Sequence, residues 1–301
     1  MNKLLSVLII TYNQEDYIAQ TLDSIISQKH EYDYEIIIGD DHSSYGTSKI
    51  CKEYAEKYPD TIKYIYNDPN LGVIKNYYNV LSNCSGKYIM ECAGDDWWLP
   101  GKVAAQISFL EKNPEYGMCY GYARQFLQNK RKIDKIRFGS EKITFEQLIE
   151  SNNIPAPSVC FRKDLADLYI KDVDPLSKNW LMEDYPMWIW FSYNSKIAFL
   201  KQDFAVYRVL EESVSHSENV EKFLKVFKCY ADIQNFFLKR RLLPEKKYDF
   251  NEICGVFYAR HGDRKSAAEC FDKIQKKSKK IKIYSLIVKN SFLYKLFCWW
   301  G

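Results

Sequence analysis

Through residues 1–92 the apolar positions follow two alternating rhythms. Runs at 4–10, 34–39, 62–66 and 87–92 are short and rich in β-branched and aromatic side chains. Between them, 16–28, 47–58 and 73–84 carry apolar residues at helical spacing. This alternation predicts an α/β fold with a mostly parallel sheet, right-handed crossovers and helices on both faces. In such sheets a ligand binds beyond the carboxyl ends of the strands. The polar residues gather at those ends. Thr11-Tyr12-Asn13 follows the first run, Asp40-Asp41-His42-Ser43-Ser44 the second, Asn70-Leu71-Gly72 the third and Gly94-Asp95-Asp96 the fourth. Each alone reads as a helix cap. Four converging on one sheet edge read as a pocket.

Beyond residue 100 the alternation loosens. Pro100-Gly101 opens a helix to about 112, 116–126 reads as a strand, and 128–142 is charged and loop-like. A short helix at 144–151, a strand at 158–162, a Trp-rich helix at 184–192 and strands at 196–200 and 205–210 follow. After 217 the strand signal ends. Helical periods cover 217–241, 250–261 and 263–278, the last two as a hairpin turning at Gly262. The expected organisation is a sheet domain over 1–216 and a helical C-terminal extension over 217–301.

Composition narrows the classes. The 301 residues are 47% hydrophobic and 27% charged, with 24 Tyr, 17 Phe and 7 Trp, which is a globular balance. Nine scattered cysteines lack any Cys-x-x-Cys spacing, so reduced thiols in a reducing cytoplasm are expected rather than a zinc site or a disulfide framework. The opening MNKLLSVLIITYN imitates a signal peptide, but polar residues and no small-residue cleavage site follow, and a buried first strand is the reading adopted. No apolar run approaches the ~20 residues that span a bilayer. The net charge of +4 is uneven: residues 271–301 hold eight lysines against one acid, so the tail is basic and the body mildly acidic. That confinement argues against nucleic acid as a partner.

Several α/β ligand motifs are absent. There is no Gly-x-Gly-x-x-Gly after the first strand, no Gly-x-x-x-x-Gly-Lys-Ser/Thr and no Gly-x-Ser-x-Gly. The sheet edge carries Asp40, Asp41, Asp95 and Asp96 instead. Carboxylates would repel a phosphate, but they can hold a divalent cation, and the cation can hold a diphosphate.

Four segments, SVLIITYN (6–13), EIIIGDDHSSYGT (35–47), NLGVIKNYYNVLSNCSGKYIM (70–90) and GDDWWLPGKVAAQISFLEKNPEYG (94–117), resemble in order and spacing the inverting family 2 glycosyltransferases of the GT-A fold, a Rossmann-like architecture. The resemblance extends more loosely through MEDYPMWIWFS (182–192) and YRVLEESVSHS (207–217). It implies that Thr11, Asn13 and Glu15 line a nucleotide pocket, that Asp41 accepts from the base ring, and that Lys75 stands where the family often has an arginine near the nucleotide; Asp41 and Asp95 read otherwise as cap or turn residues, and Lys75 as part of a solvated helix face. It also implies that Asp95 lies near the ribose or metal and that Asp96 is the principal ligand of Mn²⁺ or Mg²⁺. The resemblance leads to a histidine just after Tyr207-Arg208, where Leu210, Glu211 and Glu212 stand instead; His216 further on is read either as closing over the diphosphate or metal or as a surface histidine. Many relatives have a further acid two residues before Asp95. Ala93 stands there, and Glu91 is read as pointing elsewhere.

Displacement at a sugar carbon needs a base for the acceptor hydroxyl proton and charge stabilisation on the departing diphosphate. The resemblance places the base at Asp184, with Glu183 in reserve; Asp184 also sits where a helix N-cap ahead of Pro186 would be. The loop around Trp180 is a candidate for acceptor contact. The implied activity is metal-dependent transfer of a hexosyl or N-acetylhexosaminyl group from a UDP-sugar to a glycan or lipid-linked glycan during surface polysaccharide assembly. A silent sugar-nucleotide-binding protein and a nucleotidyltransferase are the alternatives. The basic aromatic tail reads either as a helix on an anionic membrane surface or as one packed on the protein; the first would place the chain peripherally on the inner face of the cell membrane.

Overall fold

The computed structural model describes residues 3–141, 143–210, 219–291 and 293–294. The chain divides into two compact units, 1–210 and 211–301.

In the first unit, strands β1 (Leu5–Thr11), β2 (Tyr34–Asp40), β3 (Ile62–Tyr66) and β4 (Tyr88–Ala93) pair in parallel in the order β3-β2-β1-β4. Helices α1 (Ile18–Ile26), α2 (Tyr45–Lys57) and α3 (Val73–Asn83) connect them. β1 is almost wholly buried, which is why it reads as a continuous apolar run rather than an alternation. Helix α1 buries Ile18, Thr21, Leu22 and Ile25, one stripe at helical spacing.

The sheet continues as a mixed half. β5 (Trp97–Trp98) is followed by α4 (Lys102–Lys112), β6 (Tyr116–Leu127), β7 (Lys132–Phe138), α5 (Phe145–Glu150), β8 (Cys160–Arg162), α6 (Lys163–Val173), α7 (Asp184–Asn194) and β9 (Lys196–Val209). The full order is β3-β2-β1-β4-β8-β6-β9-β5, with β7 also on β6. β8 runs antiparallel to both β4 and β6, so it joins the two halves. The Trp97-Trp98 pair lies against Val206 and Ala205 of β9, which brings the segment after Asp96 onto the far strand.

Three elements depart from the sequence reading. The charged stretch read as a loop contains β7, an edge strand whose Lys-rich composition carries no apolar alternation. The two strand runs near 200 are one strand, β9, because Asp203 in its polar middle is held by Arg124 of β6 and Arg137 of β7. Helix α6 was not expected; it buries only Ala166, Tyr169 and Val173.

The second unit comprises α8 (Val220–Arg240), α9 (Phe250–Arg260), α10 (Arg264–Asp272) and α11 (Lys279–Lys289). Asn219, Asp249, Asp263 and Ser278 cap the four N-termini through their side chains. Gly262, at φ +85°, makes the expected α9–α10 turn. The helical period read over 263–278 breaks after Asp272, and α11 is a separate helix. Ile281 and Val288 of α11 pack with Ala259, Ala267 and Phe271, and the Tyr294 hydroxyl donates to the Ala259 carbonyl at 3.0 Å. The described part of the basic tail therefore packs its apolar stripe on its own unit, while Ile283 and Leu286 remain exposed.

Candidate active site

The carboxyl ends of β1, β2 and β4 meet at one edge, and a cavity of about 140 Å³ opens there. Ile10, Thr11, Tyr12, Gln14, Asp41, Val73, Asn76 and Ala93 line it. Of the residues expected at a nucleotide, Thr11 and Asp41 form its wall.

The loops around this cavity are tied by side chain to backbone. The Asp41 carboxylate accepts from the backbone N–H groups of Leu71 and Gly72, each at 2.8 Å, and from Asn67 Nδ2 at 3.1 Å. Asp40 is a separate anchor, accepting from Ser43 N–H, the Ser48 hydroxyl and the Tyr64 hydroxyl. Asn13, in the left-handed region at φ +51°, pins the first loop to the second: its N–H donates to Ser43 Oγ and its Oδ1 accepts from Ser44 N–H. The Glu15 carboxylate lies over Gly46, where an added Cβ would come within 1.6 Å of Oε2. Asn13 and Glu15 are thus beside the cavity rather than among its lining residues. Lys75 is exposed on α3, one residue before the buried Asn76.

Asn76 is a site residue the sequence reading did not single out. Its Nδ2 donates to Gly39 O and its Oδ1 accepts from Asn67, so one buried amide joins β2, the third loop and α3 at the cavity.

The acidic turn after β4 is braced from two sides. The Thr21 hydroxyl sits between the carbonyls of Gly94 at 2.9 Å and Asp96 at 2.7 Å. From β9, Arg208 N–H donates to Asp96 Oδ1 and Arg208 Nε to the Asp95 carbonyl, both at 2.8 Å. Burial raises the proton affinity of both carboxyls, and for Asp96 the charge of Asp95 adds to it; Arg208 opposes the shift in each. Two adjacent carboxylates, Asp96 buried and Asp95 partly exposed, offer hard oxygen donors suited to Mg²⁺ or Mn²⁺, with further positions left to phosphate oxygens and water. The residues fit such an ion. Among the described residues no third acid, His or Cys completes a cluster with them, and His216 lies outside the described residues.

A second acidic group stands at the start of α7. Asp184 Oδ1 accepts from Tyr185 N–H at 2.6 Å, and Asn152 Nδ2 approaches Oδ2 at 3.5 Å. Burial raises the pKa of Asp184, and burial together with the Asp184 charge pushes Glu183 to about 8. The N-cap position itself falls to Glu183, which makes no side-chain cap.

Behind this pair lies Glu91, 5% exposed on β4 and hydrogen-bonded by the Tyr77 hydroxyl at 2.6 Å. Burial holds its carboxyl well above the usual range, with Asp184 and Glu183 adding to the effect and Lys102 opposing it. Its environment is therefore shared with the α7 acids. The signal was present in the sequence: a lone carboxylate inside the otherwise apolar YIMECA strand has to be partnered or neutral.

Residues 6–168 match the family model for glycosyl transferase family 2. An uncharacterised protein of Mycobacterium tuberculosis is 31% identical over 221 residues, 72% of this chain; the chain spans 62% of the length of that relative. The Escherichia coli UDP-Glc:alpha-D-GlcNAc-diphosphoundecaprenol beta-1,3-glucosyltransferase WfgD is 25% identical over 218 residues, 71% of this chain and 81% of its own. The S. aureus TarS 1-349 structure in complex with UDP superposes with a TM-score of 0.57 at 20% identity, covering 90% of this chain and 75% of its own. The last likeness shows the GT-A fold. With the family match spanning more than half the residues, including the loops that build the cavity and the acidic turn, the chain belongs to glycosyl transferase family 2.

Proposed function

We propose that this chain is an inverting, metal-dependent glycosyltransferase that moves a hexosyl or N-acetylhexosaminyl group from a UDP-sugar to a hydroxyl of a glycan or lipid-linked glycan in surface polysaccharide assembly. The observation that carries the reading is the cavity walled by Thr11, Asp41 and Asn76, together with the Asp95-Asp96 turn that follows its Ala93 wall, in which Asp96 is buried. The complex of TarS with UDP and the UDP-Glc and diphosphoundecaprenol terms in the WfgD name support the donor and acceptor classes.

In this reading Thr11 and Asp41 contact the nucleoside, while Asn13, Glu15 and Lys75 act from the adjoining loop and helix. Asp96, with Asp95 and His216, holds Mn²⁺ or Mg²⁺. Such an ion supplies neutralisation of charge on the departing diphosphate. Asp184 takes the proton of the acceptor hydroxyl as its oxygen attacks the anomeric carbon. The bond from that carbon to the phosphate oxygen breaks, and its electron pair leaves with the nucleoside diphosphate. Glu183, raised to about 8, keeps its own proton near neutral pH and so adds no second negative charge beside Asp184.

The sheet domain, residues 1–216 in this assignment, carries the transfer, and the helical extension over 217–301 serves location. No described helix is long and apolar enough to cross a membrane. On α11, Ile283 and Leu286 are exposed beside the exposed Lys279 and Lys282, a face suited to an anionic leaflet. The proposed location is the cytoplasm, peripherally on the inner face of the cell membrane.

Thermal shift with Mn²⁺ and UDP tests the binding half: stabilisation that Asp96→Ala abolishes supports it, and no response to any nucleotide overturns it. Asp184→Ala should bind donor and lose transfer. Retained transfer would remove Asp184 from the base role.

A further inference from the structure

Arg208 is one residue of the acidic turn's surroundings to which the mechanism above gives no task. It is 5% exposed, and its guanidinium faces three aromatic rings, Tyr17 at 4.5 Å, Trp97 at 4.8 Å and Phe126 at 5.3 Å from the ring centroids. Its donors are directed outward from that cage. Nε donates to the Asp95 carbonyl, Nη1 to Gln128 Oε1 at 2.6 Å and Nη2 to Gln20 Oε1 at 2.6 Å. Its backbone N–H donates to Asp96 Oδ1. One residue thus ties β9 to the acidic turn, to α1 and to the turn after β6.

The pattern of these bonds has a chemical sense. An arginine beside two carboxylates would ordinarily form a bidentate pair with one of them. Here the guanidinium donors go to a carbonyl and two neutral amides. The fixed positive charge is near Asp95 and Asp96, but the side-chain bonds leave the carboxylate oxygens to other partners. Aromatic faces hold the planar guanidinium in one orientation, which an ammonium could not reproduce.

We infer that Arg208 is a positioning residue for the Asp95-Asp96 turn, setting its affinity for a divalent cation and through it for a nucleoside diphosphate. Its charge offsets the mutual repulsion of the two carboxylates, and its Nε bond fixes the peptide between them. This rests on reading Asp95 and Asp96 as the cation site.

The experiment measures Mn²⁺ dissociation constants by electron paramagnetic resonance of free Mn²⁺, and UDP-induced thermal shift, for the full chain and three variants. Arg208→Lys keeps the charge and loses the planar fork; Arg208→Met loses both; Gln20→Ala removes only the partner of Nη2 at an exposed position. Outer contacts of metal ligands are commonly worth about tenfold or more in affinity. The expected result is an Mn²⁺ affinity about tenfold weaker in Arg208→Lys and weaker again in Arg208→Met, with a smaller loss of about threefold in Gln20→Ala. A role confined to stability would lower the melting temperature and leave the Mn²⁺ affinity of folded protein unchanged. That outcome in Arg208→Lys overturns the inference, and an unchanged affinity in Gln20→Ala does so if the arginine variants do not fold. Absence of Mn²⁺ binding by the unsubstituted chain would instead overturn the reading of the acidic turn itself.

Discussion

Replacing Asp41 by asparagine tests whether a carboxylate holds the cavity together. Its two oxygens serve different donors: Oδ1 accepts from Leu71 N–H and Asn67 Nδ2, and Oδ2 accepts from Gly72 N–H. An asparagine has one acceptor oxygen. In its better orientation the oxygen keeps the first two donors and the NH₂ group faces Gly72 N–H, donor against donor. One charge-assisted bond is lost and two become neutral. Bonds to charged groups contribute about 1.5–3 kcal/mol each, against about 1 for neutral ones. The loop around Leu71-Gly72 should therefore open more easily by about 2.5–7 kcal/mol. Amide hydrogen exchange, read by mass spectrometry on peptides spanning 67–73, reports that opening directly. Exchange at Leu71 and Gly72 should accelerate by about 70-fold to 100,000-fold, since 1.36 kcal/mol is tenfold, and peptides from β8 should not change. Acceleration below about threefold, or an equal acceleration throughout the first unit, would refute the claim that this carboxylate is the local clamp.

Other consequences follow from buried charge and close approach. Glu183 binds a proton up to about pH 8 in the folded chain but only to its ordinary 4.5 when unfolded, so the native state holds more protons between those values and stability falls as pH rises through them. Urea unfolding at pH 5.5 and 8.5 should show that fall, and Glu183→Gln should flatten it; equal slopes would contradict the assignment. A Cβ on Gly94 would stand 2.5 Å from Gln14 Oε1 and 2.7 Å from Thr11 Oγ1, so Gly94→Ala should cost about 1–3 kcal/mol and weaken the UDP thermal shift, a variant of native stability being the contrary result. Lys102 is fully buried, with Nζ donating to Gln106 Oε1 at 2.6 Å and Val159 O at 2.8 Å. Lys102→Met should lower the melting temperature by leaving both acceptors unpartnered; an unchanged melting temperature would mean that the two bonds add no net stability.

The parallel half of the sheet was legible because its strands are uninterrupted apolar runs and its loops concentrate polar residues at the carboxyl ends. The mixed half was less so. Strand β7 hides behind Lys132, Asp134 and Arg137, since an edge strand needs only backbone partners on one side. Asp203 disguised the middle of β9, because the arginines that hold it are 79 and 66 residues away in the chain. The same distance in sequence concealed Arg208, whose contacts span Gln20, Asp95 and Gln128. Asn76 was passed over, and Glu91 set aside, for a different reason. A buried amide and a buried carboxyl acquire meaning only from partners on other elements, and nothing in a helix of period 3.6 or a strand of period 2 names those partners.

Ala93 and Arg208 bear on one electrostatic question. The alanine lines the cavity where the family resemblance leads to the expectation of a carboxylate, so the acidic turn brings two carboxyl groups to the edge rather than three. Each unneutralised carboxylate there raises the cost of burying a diphosphate beside it. In the proposed complex the turn, a divalent ion and a donor diphosphate with two negative charges would together sum to two negative charges. The caged guanidinium reduces that to one without competing for the oxygens that bind the ion. A third acid at 93 would restore the excess and also intrude on the cavity wall. Ala93→Asp is thus expected to strengthen binding of Mn²⁺ alone while weakening the additional stabilisation by UDP. A gain in both would mean that ligand number, not charge balance, limits this site.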